Sequence, residues 1–381
     1  MATDITEGTV LWEPSIAFKD ASNMTAYMRR LEERRGLRFD SYDALWQWSV
    51  DDLPAFWESI WERFDIRATQ PYETVLAERG MPGAVWFPGA RINYAEQVFR
   101  NETADYPAIL FRSERHPLTT ISWDELRRQT AAVVRSLRAM GVGPGDRVAA
   151  FVPNIPQAVV GLLACASIGA IWSSCSTDFG TQSVVDRFRQ IEPAVLIAAD
   201  GYQYGGKSFS RIDQVREIQA ALPSLRRTVL IPYLNETVPD LPNTVSWDSL
   251  LEESGDLAFE PVSFDHPLWV LYSSGTTGLP KPIVQGQGGI MLEHLKMASL
   301  HHDLKPGDRF FWFTTTGWMM WNYLVGGLLA GTTIVLYDGS PAYPNLNALW
   351  ELAAETRMTC FGTSAAYLTS CMKAGIEPGT S

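Results

Sequence analysis

Leu268-Trp269-Val270-Leu271-Tyr272-Ser273-Ser274-Gly275-Thr276-Thr277-Gly278-Leu279-Pro280-Lys281 is the stretch on which the reading of this 381-residue chain turns. Its first five residues form a short apolar run with aromatic and β-branched members, the pattern of a buried strand. The remainder is built mainly of hydroxyl residues and glycines and ends in one lysine. Glycines let the backbone approach a ligand, N–H and hydroxyl groups donate to phosphate oxygens, and the ammonium neutralises charge. A Walker loop would end in Gly-Lys-Ser/Thr at the mouth of a helix; here Leu279-Pro280 precede Lys281, and Pro282-Ile283-Val284 predict a second strand. The expectation is a triphosphate-binding loop between two strands, with Ser273, Ser274, Gly275, Thr276, Thr277, Gly278 and Lys281 as phosphate contacts. A kinase or P-loop NTPase is disfavoured.

Outward from this loop, strand and helix patterns alternate. Upstream, the sequence predicts strands over 108–111, 147–152, 194–199 and 228–231, with helices over 155–167 and 209–220. Ser122-Trp123-Asp124-Glu125 is a capping box opening a further helix, with Leu126, Thr130, Val133, Leu137 and Met140 on one side and Gly141 ending it. Downstream, strands are expected over 268–272, 310–313, 333–337 and 359–361, and helices from Gly289, after Trp318 and over 346–356. This alternation predicts an α/β fold of two doubly wound βαβ subdomains, one over 101–260 and one over 261–381. Residues 1–100 differ in being charge-rich and strewn with tryptophan. Within 52–64 the set Leu53, Phe56, Trp57, Ile60, Trp61 and Phe64 falls at helical spacing, an aromatic face expected to pack on a neighbouring domain.

Charge and composition remove several function classes. The net charge of −12 repels phosphate backbones and anionic lipid, and no compact basic patch offsets it, so neither nucleic acid nor a membrane surface is an expected partner. The longest apolar runs, 158–172 and 323–337, fall short of the roughly 20 residues that span a bilayer. The start lacks a secretion signal, and Cys165, Cys175, Cys360 and Cys371 form no Cys-x-x-Cys pair, which points to a reduced, cytoplasmic protein. His301-His302-Asp303 are adjacent positions that diverge on a helix, and no second pair stands at ligand spacing, so no metal site is assigned. The sequence leaves the oligomeric state open.

The nine residues from Ser273 to Lys281 resemble the signature loop of the adenylate-forming superfamily, which includes acyl-CoA synthetases, luciferases and peptide-synthetase adenylation domains. Most of that superfamily has glycine after the lysine. Pro282 stands there instead, and with Ile283-Val284-Gln285-Gly286-Gln287-Gly288-Gly289 the stretch is similar to the acetoacetyl-CoA synthetase branch. Residues 41–99, with Tyr42-Asp43-Ala44-Leu45-Trp46 and Arg91-Ile92-Asn93-Tyr94-Ala95, resemble the helical N-terminal module of acetyl- and acetoacetyl-CoA synthetases. Ile121-Ser122-Trp123-Asp124-Glu125-Leu126, the run 167–176 and Thr314-Thr315-Thr316-Gly317-Trp318-Met319-Met320-Trp321-Asn322 match further motifs in family order.

The resemblance implies an acid–thiol ligase for acetoacetate, using ATP with Mg2+ and coenzyme A. A carboxylate attacks the α-phosphorus of ATP, giving an acyl-adenylate and pyrophosphate, and the CoA thiolate then takes the acyl group. No enzyme nucleophile is required, so no catalytic side chain is assigned; positioning and charge stabilisation do the work. By composition alone the Met/Trp-rich run 318–322 is a core helix. The resemblance instead places Trp318, Met319, Met320 and Asn322 around the acyl chain, and makes Lys207 the contact for the 3′-phosphate of CoA. The family's adenine motif, ribose-binding aspartate and C-terminal lysine come later than Ser381, so the chain is expected to be an N-terminal portion lacking the C-terminal domain and inactive alone. Two alternatives stay open: a ligase for another short-chain or β-keto acid, and a non-catalytic nucleotide-binding fragment.

Overall fold

Along the strand Val195–Ala199, Val195, Ile197 and Ala199 pack into one core, whereas Leu196 and Ala198 pack into another. The strand Arg147–Phe151 does the same, sending Val148 and Ala150 one way and Ala149 and Phe151 the other. Side chains alternate across a strand, so a continuous apolar run can fill both faces only if helices cover both. They do so here: Trp123–Ala139 and Pro156–Ser167 supply one core, Thr181–Phe188 and Ile212–Ala221 the other. The computed structural model from which this is read describes residues 6–235, 241–253, 255–273 and 278–380.

Seven strands form the larger sheet in the order Thr244–Ser246, Arg227–Ile231, Val195–Ala199, Arg147–Phe151, Ile171–Cys175, Pro267–Ser273 and Lys281–Gly286. All neighbours are parallel except the last pair, an antiparallel hairpin. The smaller sheet has five strands in the order Cys360–Gly362, Arg309–Trp312, Thr333–Asp338, Ile109–Ser113 and Thr119–Ile121. Ile334 and Leu336 face the large shared core; Val335 and Tyr337 face a third core closed by the helices Ala348–Thr356 and Ala365–Lys373. This is the α/β architecture expected, but the sheets do not follow a division near residue 260. Ile109–Ser113 pairs in parallel with Thr333–Asp338, and Pro267–Ser273 pairs with Ile171–Cys175. A continuous apolar run marks a buried parallel strand without saying which strand lies beside it.

A second correction concerns 209–220. Phe209 belongs to a hairpin, Gly201–Tyr204 against Lys207–Ser210, and the helix starts only at Ile212. Gly205 and Gly206, with φ of 61° and 77°, make the tight two-residue turn whose left-handed residues match the twist of the strands. At the capping box Ser122 Oγ accepts from Glu125 N at 3.1 Å, but the Glu125 carboxylate binds Arg128 and Gln129 instead of returning to the cap.

The helices Asn23–Arg35, Tyr42–Asp51 and Leu53–Arg63 cover one flank, and the aromatic face expected to pack does so. Trp61 stacks on Phe87, with centroids 4.9 Å apart, and on Phe264 at 6.4 Å, beside the hairpin of the larger sheet; Trp57 meets Trp86 edge-on at 6.3 Å. Each such pair contributes about 0.5–1.5 kcal/mol beyond its area. Among the described residues no helix is long and apolar enough to cross a membrane.

Candidate active site

The loop read as phosphate-binding joins the two strands of the antiparallel hairpin in sequence. Ser273 lies directly opposite Lys281, and Gly278 takes a φ of 132°, a conformation natural only to glycine. Ser274, Gly275, Thr276 and Thr277 lie outside the described residues. The base of the loop is tied down: Gln190 Nε2 donates to the Pro280 carbonyl at 3.0 Å, and the Tyr272 hydroxyl donates to the Arg187 carbonyl at 2.7 Å. Both anchors belong to the end of the helix Thr181–Phe188 and the turn after it. The Lys281 side chain is exposed.

Four residues down the same ladder, about 13 Å at ~3.3 Å per residue, Trp269 pairs with Gln285 and its indole N–H donates to Gln285 Oε1 at 2.6 Å. These two side chains wall a cavity of about 420 Å³ that Met319, Met320 and Asn322 also line. Three of the four residues assigned to the acyl slot are thus brought together. Trp318 is not among the lining residues and is 64% exposed. The loop before them leaves the strand Arg309–Trp312 of the smaller sheet and is held by the larger one: Ser174 Oγ donates to the Thr316 carbonyl at 2.7 Å, Thr316 Oγ1 to the Val152 carbonyl at 2.6 Å, and Trp321 Nε1 to Asn154 Oδ1 at 3.0 Å. Because Thr316 bonds in both directions, the start of the helix Met319–Gly326 is fixed where the sheets meet.

The cavity has a polar side to which Asn322, expected there from the sequence, and His294, which was not, both belong. Asn322 is 1% exposed, yet neither Oδ1 nor Nδ2 has a partner among the described residues. One turn further along the same helix, Gly326 leaves the room that His294 occupies, since a methyl group there would overlap the imidazole. His294 also lines the cavity, and burial lowers its pKa to about 4, so the ring is neutral at pH 7. The Tyr323 hydroxyl and His302 Nδ1 share a hydrogen bond of 2.9 Å at the same wall, whereas Asp303 turns away to accept from Asn23 N at 2.6 Å. Lys207 stands elsewhere, exposed on the first residue after the Gly205-Gly206 turn.

The hydroxyl–lysine rung of the hairpin and the cavity further down the same ladder both fall within residues 95–380, which match the AMP-binding enzyme family. The chain belongs to that family. Residues 42–98 match the acetyl-coenzyme A synthetase N-terminus, covering most of the helical flank. The chain is similar to acetoacetyl-CoA synthetase from Streptomyces lividans, with a TM-score of 0.94 and 53% identity over 97% of this chain and 57% of that one. It is 42% identical to the acetoacetyl-coenzyme A synthetase of Rhizobium meliloti over 97% of this chain and 57% of the relative. It is also 35% identical to a malonamoyl-CoA synthetase of Penicillium aethiopicum, over 94% and 53% respectively. The chain therefore spans little more than half the length of these relatives.

Trp269, Gln285, His294, His302 and Tyr323 are among the cavity residues that reading the sequence missed, together with Ile290, Glu293, Met297 and Trp312. They come from both strands of the hairpin, from two helices and from the segment between those helices, and His294 lies in none of the motifs. A polar residue amid an apolar helix, as His294 and Asn322 both are, was the one signal available.

Proposed function

We propose that the chain carries the ATP-phosphate and acyl-binding parts of an acetoacetate:CoA ligase. The observation that carries this is the shared hairpin: one end pairs Ser273 with Lys281, and the other walls the cavity of Met319, Met320 and Asn322. In this reading the hydroxyls and Lys281 hold the β- and γ-phosphates of ATP, supplied as its magnesium complex. The cavity holds the four-carbon acid with its carboxylate toward the phosphates. A carboxylate oxygen attacks the α-phosphorus, the bond to the β-phosphate oxygen breaks, and pyrophosphate leaves. The CoA thiolate then attacks the acyl carbon and AMP departs. The methionines pack the methyl end, and Asn322 Nδ2 donates to the β-ketone, which would cost about 1–3 kcal/mol if buried without a donor. Lys207 receives the 3′-phosphate of CoA. Four free cysteines accord with a reducing compartment.

Because the chain spans 57% of its relatives, the test reads binding and turnover separately. Calorimetric titration of the chain should show acetoacetate bound more tightly than butyrate, which has the same carbon count but no ketone, and than acetate or propionate. Equal affinity for butyrate and acetoacetate would overturn the assignment. Acetoacetyl-CoA formation from ATP by the isolated chain would refute the expectation that it is catalytically incomplete.

A second substrate is favoured by one observation, that Asn322 Oδ1 has no partner among the described residues. A methyl ketone gives that oxygen nothing, whereas an acid ending in a primary amide could pair with both atoms of the Asn322 amide. Malonamate titrated beside acetoacetate separates the two; affinity no better than butyrate's removes it.

A further inference from the structure

We propose that Glu114 is a positioning residue for coenzyme A, holding the turn that presents Lys207; this rests on Lys207 being the contact for the 3′-phosphate. Glu114 follows the strand Ile109–Ser113 of the smaller sheet, whereas the turn belongs to a hairpin springing from the end of Val195–Ala199 in the larger one. Its carboxylate spans the gap. Oε1 accepts from Gly205 N at 2.8 Å and from Ser340 N at 2.7 Å, and Oε2 accepts from Gly206 N at 2.8 Å. Two successive residues at positive φ turn their N–H groups to one side, and that concavity suits an anion. The protein fills it with its own carboxylate.

The fit around the turn is close. A β-carbon on Gly206 would lie 2.7 Å from the Tyr343 ring, so the turn rests against the loop that also supplies Ser340 N. Lys207 is the next residue, paired with Tyr204 across the hairpin, so fixing the two glycines fixes where its side chain begins. A lysine held on an ordered backbone loses less freedom when it meets a phosphate than one on a loose turn. Charge alone argues the other way. An acid near a phosphate contact repels the ligand, so on electrostatic grounds its removal should tighten binding. The sign of the effect therefore separates positioning from charge.

The experiment titrates CoA and dephospho-CoA, which lacks the 3′-phosphate, against the wild-type chain, Lys207→Ala, Glu114→Ala, Glu114→Gln and the Glu114→Ala/Lys207→Ala double variant. Wild type should prefer CoA, and Lys207→Ala should erase that preference. Glu114→Ala should weaken CoA by about threefold to tenfold and leave dephospho-CoA unchanged, with the double variant no weaker than Lys207→Ala. Glu114→Gln, which keeps one acceptor oxygen, should fall between. Unchanged or tighter CoA binding by Glu114→Ala, or additive losses in the double variant, overturns the proposal while leaving Lys207 in place. No preference in wild type, or no effect of Lys207→Ala, overturns the Lys207 reading and this proposal with it. If Glu114→Ala loses both ligands alike with a lowered melting temperature, Glu114→Gln decides: a wild-type preference there overturns the proposal.

Discussion

Ser273 and Lys281 face each other across the hairpin, four residues along the strand from the pair of Trp269 and Gln285 that walls the cavity. Lys281→Ala should therefore weaken ATP without touching acid binding. A charge-assisted contact to phosphate is worth about 1.5–3 kcal/mol, so the ATP dissociation constant should rise roughly tenfold to a hundredfold, most visibly at low salt. Calorimetry with ATP and acetoacetate checks both halves. A parallel loss of acetoacetate would mean that the hairpin itself has come apart.

Asn322 is buried with both amide atoms unpartnered among the described residues, which is expensive for stability and useful for recognition. Asn322→Leu keeps the branching but removes the polar atoms, and leucine also favours a helix. The variant should be more stable by about 1–3 kcal/mol in urea unfolding and should bind butyrate at least as well as acetoacetate. A destabilised variant would show that the amide has a partner on which the fold relies.

Met319 and Met320 are expected to set chain length. Alanine at either position should shift preference among propionate, butyrate and longer acids by roughly 1–3 kcal/mol per methylene-sized change, with ATP affinity unchanged. Should the profile stay flat while the melting temperature falls, the two thioethers are packing and not selection.

Asp338 offers a pH signature. Burial raises its carboxyl to about 7, assisted by the nearby charge of Glu114, although the Tyr233 hydroxyl donates to Oδ2 at 2.8 Å and pulls the other way. An unfolded carboxyl releases its proton near 3.8, so between 3.8 and 7 the native state binds the extra proton. This contribution to stability is fully present below 3.8 and is lost as pH rises through 7. Urea midpoints measured across that window should fall toward neutrality, and Asp338→Asn, which still accepts from Tyr233, should flatten the fall. An identical slope in the variant would place the titration elsewhere.

The strands were legible because burial on both faces leaves runs such as Val195–Ala199 almost wholly apolar. Their partners were not, because pairing is decided by chain entropy and packing that local pattern does not record. Ile171–Cys175 was hidden as a strand by Ser173 and Ser174, whose hydroxyls are buried because they donate to the carbonyls of Val270 and Thr316. The same limit divided the site. Met319, Met320 and Asn322 were legible as one motif, whereas His294 and Gln285 reach the cavity only through tertiary folding. Trp318 belonged to the motif but not to the cavity wall.

The pairing of Ile109–Ser113 with Thr333–Asp338 also sets a timetable for synthesis. The Thr333 hydroxyl donates to the Pro107 carbonyl, 226 residues earlier in the chain. At typical elongation speeds, the ribosome needs roughly 10–45 s to deliver the partner after the first strand has emerged. During that interval Ile109-Leu110-Phe111 has its hairpin neighbour Thr119–Ile121 on one side and an unclaimed edge on the other. Arg112 at the end of that run is the charge that discourages two nascent chains from joining there. Conditions that slow translation between these segments should therefore raise aggregation and chaperone demand without altering the native protein.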